Sequence, residues 1–419
     1  MITNTEEIGL ELDLGSLSGL NSLISLLSSV EVEKLAKSSG LVCRSSSLLT
    51  GAAFLRSQSE FIACGLDWSL SDQCDYLADN FGIEMTKQSL DKRFHTHSVS
   101  FMKTCYELIF SKIFRKEVGL SKHTFSHVLL SDSTTISLPS SLSTFYRSHS
   151  NKTSVSSVKI NQTIDLQQFR IMDLQIWEGC QSDNNYKPSK SVEWGTNNLW
   201  LKDLGFYSSQ TFIEIDNAGD YFLSRYKTNT NLYIKNGDGK YEVLDLVKHL
   251  ESLSGKKGFS SRAIYIGANK QKISGRLICE LVPDSVKEQR IAQYKASYKK
   301  QNMSNPKWEM TTLKILLCGY NLFITNTTQE QISDKLVLEV YALRWQIELL
   351  FKIWKSLLFM DQIGQINVFR FECFLYGRLI FLLLCTEIMA FVRTSIADSE
   401  LDIEISEWKT MKILKKKCL

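Results

Sequence analysis

Two apolar β-type runs of this chain each end in an aspartate, and this constrains its fold more than any other feature. "FSHVLLSDSTTISLP" carries one run into Asp132, and "NLWLKDLGFYS" carries a shorter one into Asp203, two residues before Gly205. A carboxylate at the end of a buried run is costly unless it is hydrogen-bonded or meets a cation. Either aspartate alone reads equally well as a cap or turn residue. Other Val/Ile/Leu-rich runs surround them: "VKINQTIDL" (158–166) and "FRIMDLQIWEG" (169–179), separated by a short link as in a hairpin, and "DYFLSRYKT" (220–228). A Ser/Thr-rich loop, 139–157, joins the first run to that pair. Three strands, a connection, a strand ending in an acid and a further strand predict an α/β layered sheet.

Much later comes "YALRWQIELLFKIWK", residues 341–355. Its polar residues are spaced at helix-face intervals, so at about 100° per residue Tyr341, Arg344, Glu348, Lys352 and Lys355 share one stripe. Leu343, Ile347, Leu350, Phe351 and Trp354 gather opposite. A solvated helix face with Glu348 four residues from both Arg344 and Lys352 has the same pattern, each such pair contributing only about 0.2–0.5 kcal/mol. Should Glu348 converge with Asp132 and Asp203, the three would make an oxygen-only site suited to Mg²⁺ or Mn²⁺. Two such ions about 3.5–4 Å apart can drive in-line phosphoryl displacement. Arg344, Lys352 and Lys355 would then hold a polyanionic strand beside the acids.

Length and charge bound the alternatives. A chain of 419 residues accommodates two or three structural units. Its net charge of +4 does not by itself mark a nucleic-acid binder, so the distribution matters more. Lys287, Arg290, Lys295, Lys299, Lys300 and Lys307 interleave with Tyr294, Tyr298 and Trp308, a pattern that suits nucleic acid as well as solubility. A second cluster, Lys409, Lys412, Lys415, Lys416 and Lys417, lies in the tail. The ten cysteines include no CxxC pair, as expected of reduced thiols in a cytoplasmic protein. "MITNTEEIGLELDLG" places acids where a signal peptide carries basic residues, which argues against export. "LYGRLIFLLLCTEIMAFV" (375–392), interrupted by Arg378 and Glu387, predicts a buried helix rather than a membrane span.

Before the first acid, residues 1–120 are helical in character. Residues 69–94 predict a helix, a turn near Phe81–Ile83 and a second helix from Thr86, the outline of a helix-turn-helix presenting Lys87, Gln88, Lys92 and Arg93. Any helical hairpin shares that outline. Residues 229–320 carry short β-like runs and predict a separate β-rich insertion, before "LKILLCGYNLFITN" (313–326) returns to the core.

Tyr341, Arg344, Glu348 and Lys355 fit the Y-(2)-R-(3)-E-(6)-K signature without a gap. With "DSTTISLP", "KDLGFYS", "IDNAGDYFLSRYK" and "LFITN" in order, residues 125–356 resemble the DDE transposases of bacterial insertion sequences, the insertion sequence 4 family. That resemblance implies an RNase H-like core, a mixed sheet flanked by helices, with a β-rich insertion and an N-terminal helical domain. The implied division is a DNA-binding domain at 1–120, catalytic core at 121–228 and 321–395, insertion at 229–320 and a basic tail at 396–419. It also implies Asp132, Asp203 and Glu348 as a triad holding two Mg²⁺ or Mn²⁺ ions, with Tyr341, Arg344, Lys352 and Lys355 on the DNA. Tyr320, where a better-known relative has Trp, would stack on a flipped base, and Trp345 would pack. The implied activity is cut-and-paste transposition: end nicking, a hairpin intermediate and strand transfer. Its partners would be double-stranded DNA, at inverted repeats and at the target, and a second copy on paired ends, in the cytoplasm near the nucleoid, with no membrane. A domesticated relative that binds repeats without chemistry stays open as an alternative, as does a structure-specific nuclease that cuts without joining.

Overall fold

Ten strands form one mixed sheet in this computed structural model. It describes residues 30–44, 47–60, 69–114, 124–149, 154–167, 170–188, 195–228, 230–253, 258–268, 271–301, 311–345, 347–348, 351–352, 355, 363–364, 366–398 and 409. The strands are β1 (Val128–Leu138), β2 (Ser156–Asp165), β3 (Arg170–Glu178), β4 (Leu199–Lys202), β5 (Tyr221–Arg225), β6 (Leu232–Lys235), β7 (Tyr241–Val243), β8 (Phe259–Ala268), β9 (Gln271–Leu281) and β10 (Tyr320–Thr325). They lie in the order β3-β2-β1-β4-β5-β10-β9-β8-β6-β7. β1, β4 and β5 are mutually parallel, and β2 runs antiparallel to both β1 and β3. An order of 3-2-1-4-5 with only the second strand reversed is the RNase H-like arrangement.

Pleating separates two cores. Leu130, Ile136, Leu201, Leu223, Ile278 and Phe323 face one side, while Leu129, Trp200, Phe222, Leu277, Cys279 and Leu322 face the other. Successive residues of a strand alternate between these cores, as a period of two requires. Each fully buried Leu, Ile or Phe contributes about 1.5–3 kcal/mol relative to exposure.

The first face is covered by helices α1 (Val30–Ser38), α2 (Gly51–Ser59), α3 (Leu70–Phe81), α4 (Lys87–Asp91) and α5 (Thr96–Phe114), together with a late helix through 368–398. The N-terminal helices therefore share a core with the sheet. A Cβ at Gly377 of the late helix would meet the Gln58 carbonyl of α2 at 2.0 Å, so only glycine permits this approach. That late helix contains the most apolar segment and is buried along much of its length. Among the described residues, no helix is long and apolar enough to cross a membrane.

The helix-turn-helix outline is present in shortened form. Gly82 closes α3 at φ 62°, and Thr86 caps α4, whose amide at Ser89 donates to the Thr86 hydroxyl. α4 is only five residues long, so it exposes Lys87, Gln88 and Lys92 from a single turn.

The described strands within 229–320 join the central sheet. β9 pairs with β10 along Tyr320–Thr325, so β6 to β9 extend the central sheet. The backbone edge of β10 left open by β5 is satisfied in this way. On the second face lie α6 (Ser209–Asn217), α7 (Leu246–Ser252), α8 (Asp284–Gln301) and α9 (Thr312–Cys318). The interleaved basic and aromatic cluster falls on α8, where Arg290 turns inward to the Tyr320 carbonyl and to Asn321 Oδ1. Lys307 and Trp308 lie outside the described residues, as does the tail cluster apart from Lys409.

Candidate active site

The two aspartates become neighbours through strand register. β1 and β4 pair in parallel up to Ser131 and Lys202, so Asp132 and Asp203 follow one step later side by side. Asp203 lies just past the end of β4 and Asp132 inside β1, which does not end there as the sequence suggested but runs on to Leu138 paired with β2. Both fall on the first face, in step with Leu130 and Leu201. This is the end of an open α/β sheet where ligands bind. The Ser133 amide donates to Asp132 Oδ1 at 2.7 Å. Asp203 also caps a short 3₁₀ turn, accepting from the Gly205 amide at 3.4 Å.

Glu348 reaches the same place through α10 (Leu336–Ala342) and the helical residues that follow. The expected continuous helix is interrupted: the Leu343 and Arg344 amides donate to carbonyls three residues back, Val340 and Tyr341. This tight turn takes Arg344 off the axis of α10 while Ile347 and Phe351 stay buried. Leu350 and Trp354 lie outside the described residues. Arg344 Nε stands 3.6 Å from Asp203 Oδ1, and its Nη2 stands 2.6 Å from Glu348 Oε1. One guanidinium thus holds two of the three acids.

The Asp132 carboxyl is pushed up to about 7, by burial first and also by Asp203 and Glu348, against the Ser133 amide and Arg344. Burial pulls Arg344 down, but Asp203 and the hydrogen-bonded Glu348 outweigh it and hold the guanidinium above its ordinary value. Burial also pushes Tyr341 up to about 12, with Asp203 adding to the effect. Carboxylates thus crowd around the Arg344 guanidinium.

The remaining predicted residues divide. Tyr341 is buried, its ring edge-on to Phe323 at 5.2 Å, so its hydroxyl is not on an open face. Lys352 is exposed and Lys355 half-buried, on the helical residues beyond Glu348. Tyr320 is not brought to the acids: it lies in the core of the opposite sheet face, its hydroxyl donating to the Leu250 carbonyl at 3.2 Å. Trp345, expected to pack, is instead 65% exposed, because the turn at 343–344 swings it outward beside Arg344.

Three residues near the acids were not singled out from the sequence. Gln162 sits directly across β2 from Asp132, fully buried, and its amide has no hydrogen-bond partner among the described residues. Asp183 accepts from Ser133 Oγ at 2.8 Å and from Lys159 Nζ at 2.7 Å, beneath β1. Arg225 ends β5 one step beyond Ser224, which pairs with Lys202, so it extends the row of strand ends. Only Arg225 left a signal, as the last residue of an apolar run parallel to the two ending in aspartate. The other two depend on pairings that local sequence does not reveal.

The donor set suits a hard divalent cation, since it consists of carboxylates only and Asp132 is under like-charge stress. Among the described residues, no three side chains stand close enough to enclose an ion as they are arranged. Here Arg344 supplies the positive charge between Asp203 and Glu348.

Residues 123–384 match the family described as "Transposase DDE domain". The chain is 31% identical over 399 residues to the transposase for insertion sequence element IS1151 of Clostridium perfringens, covering 90% of this chain and 82% of that protein. It is 27% identical over 353 residues to the transposase for insertion sequence element IS231F of Bacillus thuringiensis subsp. israelensis, covering 81% of this chain and 72% of that one. Among solved structures, a piggyBac transposase synaptic complex with hairpin DNA aligns at a TM-score of 0.49 and 10% identity, over 95% of this chain and 80% of that one.

Proposed function

Because this chain belongs to the DDE transposase family of bacterial insertion sequences, and is thus an enzyme of DNA transposition, we propose that Asp132, Asp203 and Glu348 are its catalytic residues. In this reading it excises an insertion sequence by nicking its ends, forming and reopening a hairpin, and joining the freed ends to target DNA. What supports the reading is that Asp132 and Asp203 stand side by side where the parallel pairing of β1 and β4 stops, with Glu348 tied to Asp203 through Arg344.

The family generally uses divalent metal ions, and the three carboxylates would hold two Mg²⁺ or Mn²⁺ ions. Bound there, such ions activate the attacking oxygen and stabilise the leaving one. The chain's own residues perform the rest. Asp203 and Glu348 compete with phosphate for Arg344, so an incoming scissile phosphate draws the guanidinium toward itself and uncovers the acids. Lys352 and Lys355 hold the strand beyond the cleaved bond as point charges. Trp345, exposed beside Arg344, would stack on a displaced base in this reading, a role the burial of Tyr320 in the other core speaks against for that residue. The substrate is double-stranded DNA at terminal inverted repeats and at the target, bound by two copies on paired ends in the bacterial cytoplasm, at the nucleoid. The turn at 82–86 with exposed Lys87, Gln88 and Lys92 supports the N-terminal helices, within 1–120, as a further DNA contact.

The test uses purified protein and labelled DNA spanning the boundaries of its own coding locus, with Mg²⁺ or EDTA, and wild type against Glu348→Ala. Metal-dependent nicks, hairpins and joined strands at a repeat boundary, lost in the variant, are expected on denaturing gels. Binding at the boundary without cleavage would overturn the reading in favour of a non-catalytic relative.

A further inference from the structure

The sheet face that carries Asp132 and Asp203 continues past α10. Pleating takes it outward over β8 and β9, where Ser261, Ala263 and Ser274 are exposed. On the reverse side of the same strands, Ile264, Ile266 and Ile273 are buried. One side of these strands is therefore packed and the other is an open floor of small residues.

Beyond the floor stands a ladder of aromatic rings and lysines on the same side. Tyr233 pairs with Tyr265 across β6 and β8, and Lys235 pairs with Tyr241 across β6 and β7. Lys235 Nζ lies 5.4 Å and 5.1 Å from the ring centres of Tyr241 and Tyr265. Lys272 Nζ lies 4.5 Å and 5.1 Å from those of Tyr233 and Tyr241. The rings hold the two ammonium groups in place through their π-faces. The acid of β6 and β7, Glu242, pairs with Ile234 on the reverse face and accepts from Asn236 Nδ2 at 2.7 Å. The ladder thus presents fixed positive charge with aromatic support, the composition of a surface that tracks a nucleic-acid backbone.

Position names the occupant. β8 is four strands from β4, and β6 is five, which at about 4.8 Å per strand is about 19–24 Å from Asp203. That span equals roughly six or seven base pairs at about 3.4 Å each. Arg225, exposed at the end of β5, lies on the way. We propose that this face, with Lys235 and Lys272 as its fixed cations, grips the phosphate backbone of the DNA duplex whose cleaved strand lies at the acids. The inference rests on the transposase reading above and adds to it a surface set back from the reacting phosphate.

The test measures binding in a Glu348→Gln background, with and without Lys235→Ala/Lys272→Ala, by fluorescence anisotropy across a salt series. The probes are duplexes carrying the boundary of the chain's own element, one long on both flanks and two shortened to about four base pairs on either flank. Loss of two phosphate contacts makes the slope of log K against log salt shallower by about 1–2 on the long duplex. On one of the shortened duplexes the difference between the two proteins disappears. An unchanged slope on the long duplex, with binding retained by both proteins, would overturn this surface and leave the transposase reading standing. A change in sedimentation of the double variant without a change in slope would overturn it in favour of a contact between copies. Absence of boundary binding by both proteins would overturn the transposase reading together with the surface.

Discussion

Arg344 Nη2 lies 2.6 Å from Glu348 Oε1 while Nε of the same guanidinium faces Asp203 at 3.6 Å. The arrangement joins a helical residue to a strand end through a planar fork. A lysine carries the charge but cannot span two carboxylates. Arg344→Lys is therefore expected to slow single-turnover cleavage about 10²-fold, the scale of losing one preorganised charge contact, while boundary binding falls much less. A variant that cleaves at the wild-type rate would show that the fork does not organise the site.

Gln162 is a fully buried amide with no hydrogen-bond partner among the described residues, directly across from Asp132 in the β1–β2 register. Such a group costs about 1–3 kcal/mol of stability. Gln162→Met is expected to raise stability by about that amount in urea denaturation. Loss of stability in the variant would mean that the amide is satisfied in solution.

Lys202 is buried against the Trp200 ring, with Ser131 Oγ 3.1 Å from its Nζ. Burial lowers its ammonium to about 7, against 10.5 when free. The unfolded chain therefore binds more protons between about pH 7 and 10.5, so this residue makes stability rise with pH across that window, and its cost is fully present below pH 7. Lys202→Met is expected to raise the melting temperature at pH 6 and to flatten its rise between pH 7 and 9. Parallel curves for the two proteins would show that the ammonium finds compensation in the fold.

Asp183 joins Lys159 and Ser133 beneath β1. Asp183→Asn leaves Lys159, only 7% exposed, without its counter-charge. A stability loss of about 1–3 kcal/mol is expected, with cleavage reduced through a shift of β1 at Asp132–Ser133. Calorimetry and cleavage measured on the same preparation separate the two effects.

What was legible in the sequence was local. Apolar runs reaching Asp132 and Asp203 could be seen as strands, but that the two meet depends on the parallel register of β1 and β4, and the strand carrying Asp132 does not end there but continues to Leu138. Helical spacing set Arg344 beside Glu348, a pattern a solvated helix face shares, and only the family resemblance joined them to the aspartates. What was hidden depends on distant pairing. Gln162 is ordinary in "VKINQTIDL" until the antiparallel register sets it opposite Asp132. Tyr320 is the first residue of β10, and its odd-or-even place relative to Phe323 turns it to the other core. The turn at 343–344 falls in a stretch with perfect helical spacing, and tertiary packing of Tyr341 on Phe323 overrides that periodicity. The extension of the sheet by β6 to β9 was equally out of reach, since short β-like runs do not say which edge they join.

The central claim is that Asp132, Asp203 and Glu348 form one catalytic centre. Its most direct test measures metal-dependent cleavage and binding of boundary DNA side by side for Asp203→Asn, whose amide keeps the size of the carboxylate and removes its charge. Loss of cleavage by at least about 10³-fold, with binding within a few-fold of wild type, is the predicted result. Normal cleavage by Asp203→Asn would contradict the assignment.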